Sequence, residues 1–197
     1  MFLNGAAEKN FNKLKSFNLT QYLILAKSKQ TKFSENLAKE SLINTDIRKQ
    51  NNKSVSPGFL FAALLWNEIL NKSVRNGEIN LRLFFRSMDQ VLRQQQKITA
   101  IPRKFHTYIK DIWVLQLKLH SRIGKQPYKT LKHPRFRAAY DFLLLREKAC
   151  KVKSEVGGWW TDFQKNDPTL RKKLIANIQE KNFEETYKKF GFSEELR

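Results

Sequence analysis

The stretch that most constrains the fold is an apolar run that follows Ser56-Pro57. From Gly58 to Leu70 nearly every side chain is apolar, and Trp66 lies in the middle of the run. A helix that is apolar on all sides has no face for water and must be buried. A serine followed by a proline is typical of a helix start, with the hydroxyl as cap and the proline in the first turn. We therefore predict that this helix is the central rod of the core.

The segments on either side of this run have helical periodicity. Between Leu81 and Leu92 the apolar residues recur at i, i+3, i+4, i+7, i+10 and i+11, which is typical of an amphipathic helix. No segment of any length alternates as a strand would. Further helices are predicted in residues 6–26 (one or two short ones), 34–49 with Ser34 as cap, 102–119, 134–144 after His133-Pro134, and from Asp167-Pro168 onward, with breaks at Asn76-Gly77, 121–127 and Gly157-Gly158.

Composition agrees with a folded, helical chain. Its 197 residues are 41% hydrophobic and 12% aromatic, which is too apolar for a disordered protein. Seven Gly and five Pro are few, and few turn residues favour helices over a sheet-rich fold. The prediction is an all-α, compact helical bundle of about 7–9 helices.

Positive charge is concentrated in the middle of the chain. Between Lys97 and Arg137 there are eleven Lys and Arg and one acid, Asp111, which is half of the net charge of +20. These charges are interleaved with a helical apolar stripe. A basic, packed surface indicates an anionic partner, most often nucleic acid. The alternative is a solvated face with no partner, although +20 is far more charge than solubility needs.

No catalytic or metal constellation stands out. The sequence has no P-loop, no G-x-G-x-x-G and no Asp-x-Asp pair for Mg²⁺. The three histidines have no cysteine near them and no zinc spacing. We interpret Cys150 as a half-buried apolar residue and Asp111 as an ion-pair partner of neighbouring bases. Trp159-Trp160 could stack on bases, but closing the end of the core is the simpler interpretation.

Nothing in the sequence indicates an oxidising compartment or a membrane span. A single cysteine gives no disulfide, the first ten residues have no signal-peptide apolar region, and the apolar run at Gly58–Trp66 is too short to cross a bilayer. A cytoplasmic protein is the expectation. Binding at a membrane surface stays open, although no helix has a strongly segregated basic face.

The candidate binding residues surround two helix starts and one loop. Helix N-termini also offer free N–H groups and a positive dipole end to phosphates. Phosphate contacts of this kind hold the nucleic-acid backbone and carry little sequence information. The set predicted to bind RNA is Arg103, Lys104, Arg122, Lys125, Lys129, Lys132, Arg135 and Arg137.

Several motifs resemble bacterial poly(A) polymerase I, in that family's order and at about its spacing. They are FLNGAAEK (2–9), LINTDIR (42–48), SPGFLFAALLW (56–66), AIPRK (100–104), DIWVLQLKL (111–119), HPRFRAAYDFLLLR (133–146) and WWTDFQ (159–164). The last two are the most specific. The resemblance implies an RNA-binding helical body over residues 1–164 and a divergent, partly helical tail over residues 165–197, where members often have an Arg- and Pro-rich extension.

The resemblance also implies what this chain does not carry. Members add AMP from ATP to RNA 3′ ends with Mg²⁺, and so mark RNA for decay, using a catalytic head N-terminal to these motifs. None of the head's motifs occurs here, so no catalytic, cofactor or metal residue is carried over. Arg103 and Lys104 match the family's basic IP-[KR]-[KR] element, and Arg122 and Lys125 its R-x-G-K loop. Lys132, Arg135 and Arg137 surround its H-P-x-F-R-A-A-Y element.

Three hypotheses follow. The first is the RNA-holding part of a poly(A) polymerase, which alone binds single-stranded RNA 3′ ends without polymerising and can have a separately encoded head as partner. The second is a stand-alone RNA-binding or ribosome-associated adaptor derived from that family. The third is a DNA-binding helical protein, which the absence of helix-turn-helix spacing disfavours.

Overall fold

Helices form almost all of the regular structure in the computed structural model, which describes residues 2–26, 28, 30–75, 78–151, 155–165 and 167–180. The all-α prediction is confirmed. The α-helices of the described residues are α1 Ala7–Ser16, α2 Lys32–Gln50, α3 Pro57–Leu64, α4 Trp66–Ser73, α5 Leu81–Gln96, α6 Arg103–His120, α7 Gln126–Leu131, α8 Phe136–Cys150, α9 Glu155–Phe163 and α10 Pro168–Glu180. A 3₁₀ turn spans Thr20–Tyr22, and two-residue strands β1 Val74–Arg75 and β2 Glu78–Ile79 pair antiparallel.

The main core joins α3, α4, α5, α6 and α8. Its largest side chains, Trp66, Phe84, Trp113 and Phe142, are fully buried. The Trp66 ring packs edge-on against Phe142 with centroids 5.5 Å apart. Aromatic pairs in this geometry stabilise a core by more than their buried area alone. As predicted, the apolar run after Pro57 lies at the centre of this core.

A second core closes the end of the molecule where α6, α8 and α9 meet. Trp160 and Phe163 are fully buried and Trp159 is nearly so. The Trp160 indole N–H donates to the carbonyl of Leu119 over 2.8 Å. The interpretation of Trp159-Trp160 as core residues is therefore confirmed, and neither ring is available to stack on a base. Cys150 is half-buried and packs on the main core, as predicted.

The central rod is two helices rather than one. α3 ends at Leu64 and α4 begins at Trp66, so the chain bends at Leu65. The Trp113 indole N–H donates to the Ala62 carbonyl over 2.9 Å, three residues before this break. A side chain that hydrogen-bonds to a helix carbonyl beside a break is a known cause of a kink. The described residues hold ten α-helices, whereas about 7–9 were predicted. The additional helices arise from this split and from the short α7, which begins within the segment that was expected to be a loop.

Several predicted helix ends need correction. α2 begins two residues before Ser34, because Thr31 is its cap; the Ser34 hydroxyl accepts from the Thr31 N–H over 2.9 Å and completes a capping box. Ser56 precedes α3 as expected, but its hydroxyl makes no capping hydrogen bond.

Two predictions for the last helices have different outcomes. Gly157-Gly158 lies inside α9 and is no break. The predicted cap of α10 is confirmed, since the Asp167 carboxylate accepts from two backbone N–H groups, at 2.9 and 3.1 Å. The predicted Asn76-Gly77 break lies outside the described residues.

The inner stripe of α5 is narrower than its periodicity predicts. Phe84, Met88 and Val91 are buried, whereas Leu81 and Phe85 are each 47% exposed. Only one edge of the apolar face meets α4, and the other edge faces water.

Candidate nucleic-acid interface

The first predicted basic pair lies at the start of α6. Pro102 precedes the helix and leaves the side chains of Arg103 and Lys104 exposed. The Lys104 ammonium lies 5.3 Å from the centre of the Phe105 ring. Such cation–π contacts are weak at the surface but hold a long side chain in place. Both charges are therefore accessible to an anion.

α7 and the residues that flank it carry three lysines on one exposed face. Lys125, Lys129 and Lys132 are spaced by four and three residues, so they follow one another along the same side of the helix. On the opposite side Pro127 and Thr130 are buried. The predicted loop thus includes the start of a short helix, and its burial pattern turns the lysines toward solvent.

The third basic pair lies where α8 begins. His133 organises this turn, because its Nδ1 accepts from the Arg135 N–H over 3.1 Å. The Arg135 guanidinium lies 5.0 Å from the centre of the Tyr108 ring on α6. Arg137 Nε donates to Asp141 over 3.0 Å, yet the Arg137 side chain is still 73% exposed. His133 therefore stabilises the backbone turn that leads into α8.

Arg122 differs from the other seven predicted residues. Its guanidinium lies 5.7 Å from the centre of the Trp159 ring, and its buried Nε has no hydrogen-bond partner among the described residues. Burial lowers the pKa of Arg122, an effect that the nearby carboxylates of Glu155 and Glu147 oppose. Arg122 is thus partly a structural residue that joins the end of α6 to α9.

The predicted residues form a band along α6 rather than one cluster. α6 has 18 residues and is about 27 Å long, with Arg103 at its start and Arg122 just beyond its end. The segment 121–135 then runs back, so that Arg135 contacts Tyr108, about 7.5 Å along the helix from Arg103. The structure therefore places Arg135 beside the start of α6, with α7 and its lysines on the returning segment.

One basic residue of this surface was missed by the sequence analysis. Arg48, at the end of α2, donates two hydrogen bonds to the Ser54 carbonyl, at 3.1 and 3.2 Å. Its third nitrogen lies 3.9 Å from Asp141, which also binds Arg137. The only signal was the LINTDIR motif that ends at Arg48, and nothing in the local pattern indicated that α2 reaches the start of α8.

The acidic and histidine side chains of the described residues form no group of metal ligands. Among the described residues, Asp111 makes no ion pair, contrary to expectation, because its neighbour Lys110 pairs with Asp89 over 2.5 Å. His120 is buried, and burial together with Arg146 and Arg122 lowers its pKa to about 3. No three His, Cys, Asp or Glu side chains of the described ranges meet as metal ligands would.

No helix in the part of the chain that the structure describes is long and apolar enough to cross a membrane.

Comparison with known families gives this surface a context. A family model described as "Polymerase A arginine-rich C-terminus" matches residues 76–190. This match includes α5 to α10 and all eight predicted binding residues. The chain belongs to this family. The resemblance inferred from the motifs is thereby confirmed.

Curated relatives agree with the family match. The chain is 37% identical over 153 residues to poly(A) polymerase I of Escherichia coli O6:H1, an alignment that covers 74% of this chain and 33% of the relative. It is 31% identical over 188 residues to poly(A) polymerase I of Salmonella typhimurium, covering 89% and 40%. The enzyme of the same name from Haemophilus influenzae is 31% identical over 185 residues, covering 89% and 41%. The chain therefore spans about a third to two fifths of the length of these relatives.

Proposed function

We propose that this chain is the RNA-binding C-terminal part of a poly(A) polymerase, whose parent enzyme adds AMP from ATP to RNA 3′ ends. The family match to a polymerase C-terminus supports the parent activity. RNA binding is supported by the basic band along α6, α7 and the start of α8. Seven of its eight predicted side chains are exposed, and Arg122 is half-buried.

The observation that carries the proposal is the near absence of acids within this band. Within the described residues, Asp141 forms ion pairs with Arg137 and Arg48, and the carboxylates of Glu155 and Glu147 lie near Arg122 at the far end of the band. Lys125, Lys129 and Lys132 are exposed, and no ion pair within the described residues includes them. Unpaired cations on a rigid surface attract a phosphate backbone and release its counterions.

We further propose that the chain alone binds RNA without extending it. Nucleotidyl transfer with two Mg²⁺ ions needs carboxylates close enough to share them. The sequence has no Asp-x-Asp pair, and no three His, Cys, Asp or Glu side chains of the described residues meet as metal ligands would. These residues do not fit ATP and Mg²⁺ as resident cofactors, so we assign the chemistry to a catalytic head of the parent enzyme.

The salt dependence of RNA binding tests the role of the band. If six to eight phosphates of a single strand are contacted, log K against log[salt] has a slope of about −4 to −6. Replacing Lys125, Lys129 and Lys132 by alanine should make that slope shallower by about 2. Three exposed lysines on α1, Lys9, Lys13 and Lys15, provide a control triple, because α1 packs on α2 and contributes none of the predicted binding residues. Lys15 differs from the other two in that it pairs with Glu35 at 3.3 Å.

The two triples separate a specific surface from general charge. The proposal predicts a large change for the α7 triple and a small one for the α1 triple. Equal effects of the two triples would mean that total charge, and not this band, determines binding.

A further inference from the structure

A cleft with both polar and apolar walls opens at the inner edge of the basic band. It lies between the end of α2, the turn that leads into α3, the second turn of α6 and the start of α8, and its volume is about 240 Å³. Gly58 allows α3 to approach α6 closely here, because a Cβ at this position would lie 2.8 Å from the Tyr108 ring. The walls therefore come from four segments that are fixed against one another.

The walls of this cleft carry an excess of positive charge. Arg48, Arg135 and Arg137 line it, and Asp141 is the carboxylate among them. Each guanidinium is held: Arg48 by the Ser54 carbonyl, Arg135 by the Tyr108 ring and Arg137 by Asp141. Guanidinium groups that are held in this way lose little entropy when they bind a phosphate, and they can bind it in a bidentate manner.

Neutral groups in the cleft are also open to a ligand. Asn44 and Ser56 line it, and neither side chain makes a hydrogen bond within the described residues. An amide presents both a donor and an acceptor, which is what the edge of a base requires. Tyr108 and Phe59 add aromatic surface to the same walls.

We propose that this cleft holds one nucleotide of a single-stranded RNA, and this inference rests on the proposed function. The three guanidiniums bind the phosphate, the aromatic wall contacts the base, and Asn44 hydrogen-bonds to the base edge. With a volume of about 240 Å³, the cleft is smaller than the roughly 300 to 1,000 Å³ of pockets that enclose a drug-sized molecule. It would therefore hold a nucleotide only in part, with the rest of the nucleotide in solvent along the bound strand.

Asp141 has two opposing effects in this site. Its carboxylate binds Arg137 at 3.0 Å and lies 3.9 Å from Arg48, so it orients both groups. It also competes with a phosphate for the same N–H donors. Asp141→Asn keeps the shape of the side chain and removes the charge, and so should tighten RNA binding by about two- to fivefold, the range expected for an exposed ion pair.

Asn44→Ala tests base contact separately from charge. Loss of a neutral hydrogen bond should weaken binding of a short oligoadenylate about two- to tenfold and leave the salt slope unchanged. Arg135→Ala should weaken binding and also make the slope shallower by about 0.7. Arg93→Ala is the matched control, since Arg93 is exposed on α5 and does not line the cleft.

The outcomes distinguish this inference from the proposed function. If the unmodified chain does not bind the oligoadenylate, the proposed function fails. If it binds, but Asn44→Ala and Asp141→Asn both behave like the Arg93→Ala control, the cleft is not a nucleotide site and the basic band stands without it. Urea unfolding of each variant shows that the folded state is retained, and tightening by Asp141→Asn cannot arise from unfolding.

Discussion

At the scale of single residues, two adjacent glycines in α9 have opposite surroundings. A Cβ at Gly157 would lie 2.2 Å from a Glu147 carboxylate oxygen and 2.8 Å from a Leu144 methyl, whereas a Cβ at Gly158 would meet nothing within 4 Å. The Gly157 N–H also donates to Glu147 over 2.8 Å. A Cβ at Gly157 would therefore displace the ends of the Glu147 and Leu144 side chains, whereas a Cβ at Gly158 would displace nothing.

We predict opposite signs for alanine at these two glycines. Gly157→Ala should lower the free energy of unfolding by about 1–3 kcal/mol, because the Glu147 carboxylate and Leu144 must move. Gly158→Ala should raise it by about 0.5–1 kcal/mol, because alanine is the better helix former. Urea unfolding of both variants measures this difference. Equal destabilisation by the two substitutions would contradict the assigned contact.

The buried His120 predicts a pH dependence of stability. Its pKa in the folded state is lowered to about 3 by burial and by Arg146 and Arg122, from an ordinary value of 6.5. Between these values the unfolded state binds the extra proton, so stability is full above pH 6.5 and is lost as the pH falls toward 3. At pH 5 the free energy of unfolding is lower than at neutral pH by about 2 kcal/mol.

His120→Gln isolates this contribution. The variant retains every other titrating group, so the difference between the two pH profiles belongs to His120. We expect the variant to lose less stability than the unmodified chain between pH 7 and pH 5 in urea unfolding. Profiles that run parallel over this range would show that His120 is not buried in its neutral form.

At the scale of elements, α1 depends on α2 for its cap. The residue before α1, Ala6, has no side chain that could cap the helix, and the Asp46 carboxylate of α2 accepts from the N–H groups of Ala7 and Glu8, at 2.6 and 3.0 Å. A carboxylate at a helix N-terminus satisfies free donors and complements the helix dipole. Ala7 is the residue of α1 that is buried. Because so little of the helix is buried, the cap contributes a large share of the interactions that hold α1 against α2.

Removing that cap should loosen α1. Asp46→Ala should cost about 0.5–2 kcal/mol and increase amide hydrogen exchange mainly within residues 7–16. Asp89→Ala provides a control, because the Asp89 carboxylate is exposed and its ion pair with Lys110 is worth at most about 1 kcal/mol. Unchanged exchange in α1 of the Asp46→Ala variant would contradict the capping role.

Sequence patterns predicted the elements better than their ends. The periodicity of residues 81–92 and the Asp167-Pro168 start were sufficient because each signal is local. The break at Leu65 lies beside the hydrogen bond from the Trp113 indole to the Ala62 carbonyl, and these two residues are 51 positions apart in the sequence. The glycine pair in α9 was interpreted as a break because the sequence does not show that α8 packs against it.

At the scale of the whole molecule, the sequence predicted the basic residues but not their arrangement. The segment from Lys97 to Arg137 was recognisable from charge alone, and so was its division between helix starts and a loop. The packing of Arg122 on Trp159 and the placement of Arg48 beside Arg137 depend on tertiary contacts. A cleft with walls from α2, α3, α6 and α8 has no local signature, so only the folded structure shows it.

The central claim is that this chain binds RNA through its basic band and does no polymerisation by itself. The most direct test is RNA 3′-end extension with ATP and Mg²⁺, run beside RNA binding by the same purified chain at two salt concentrations. We predict binding that weakens steeply with salt and no extension. Extension by the purified chain, or a failure to bind RNA at low salt, would contradict this account.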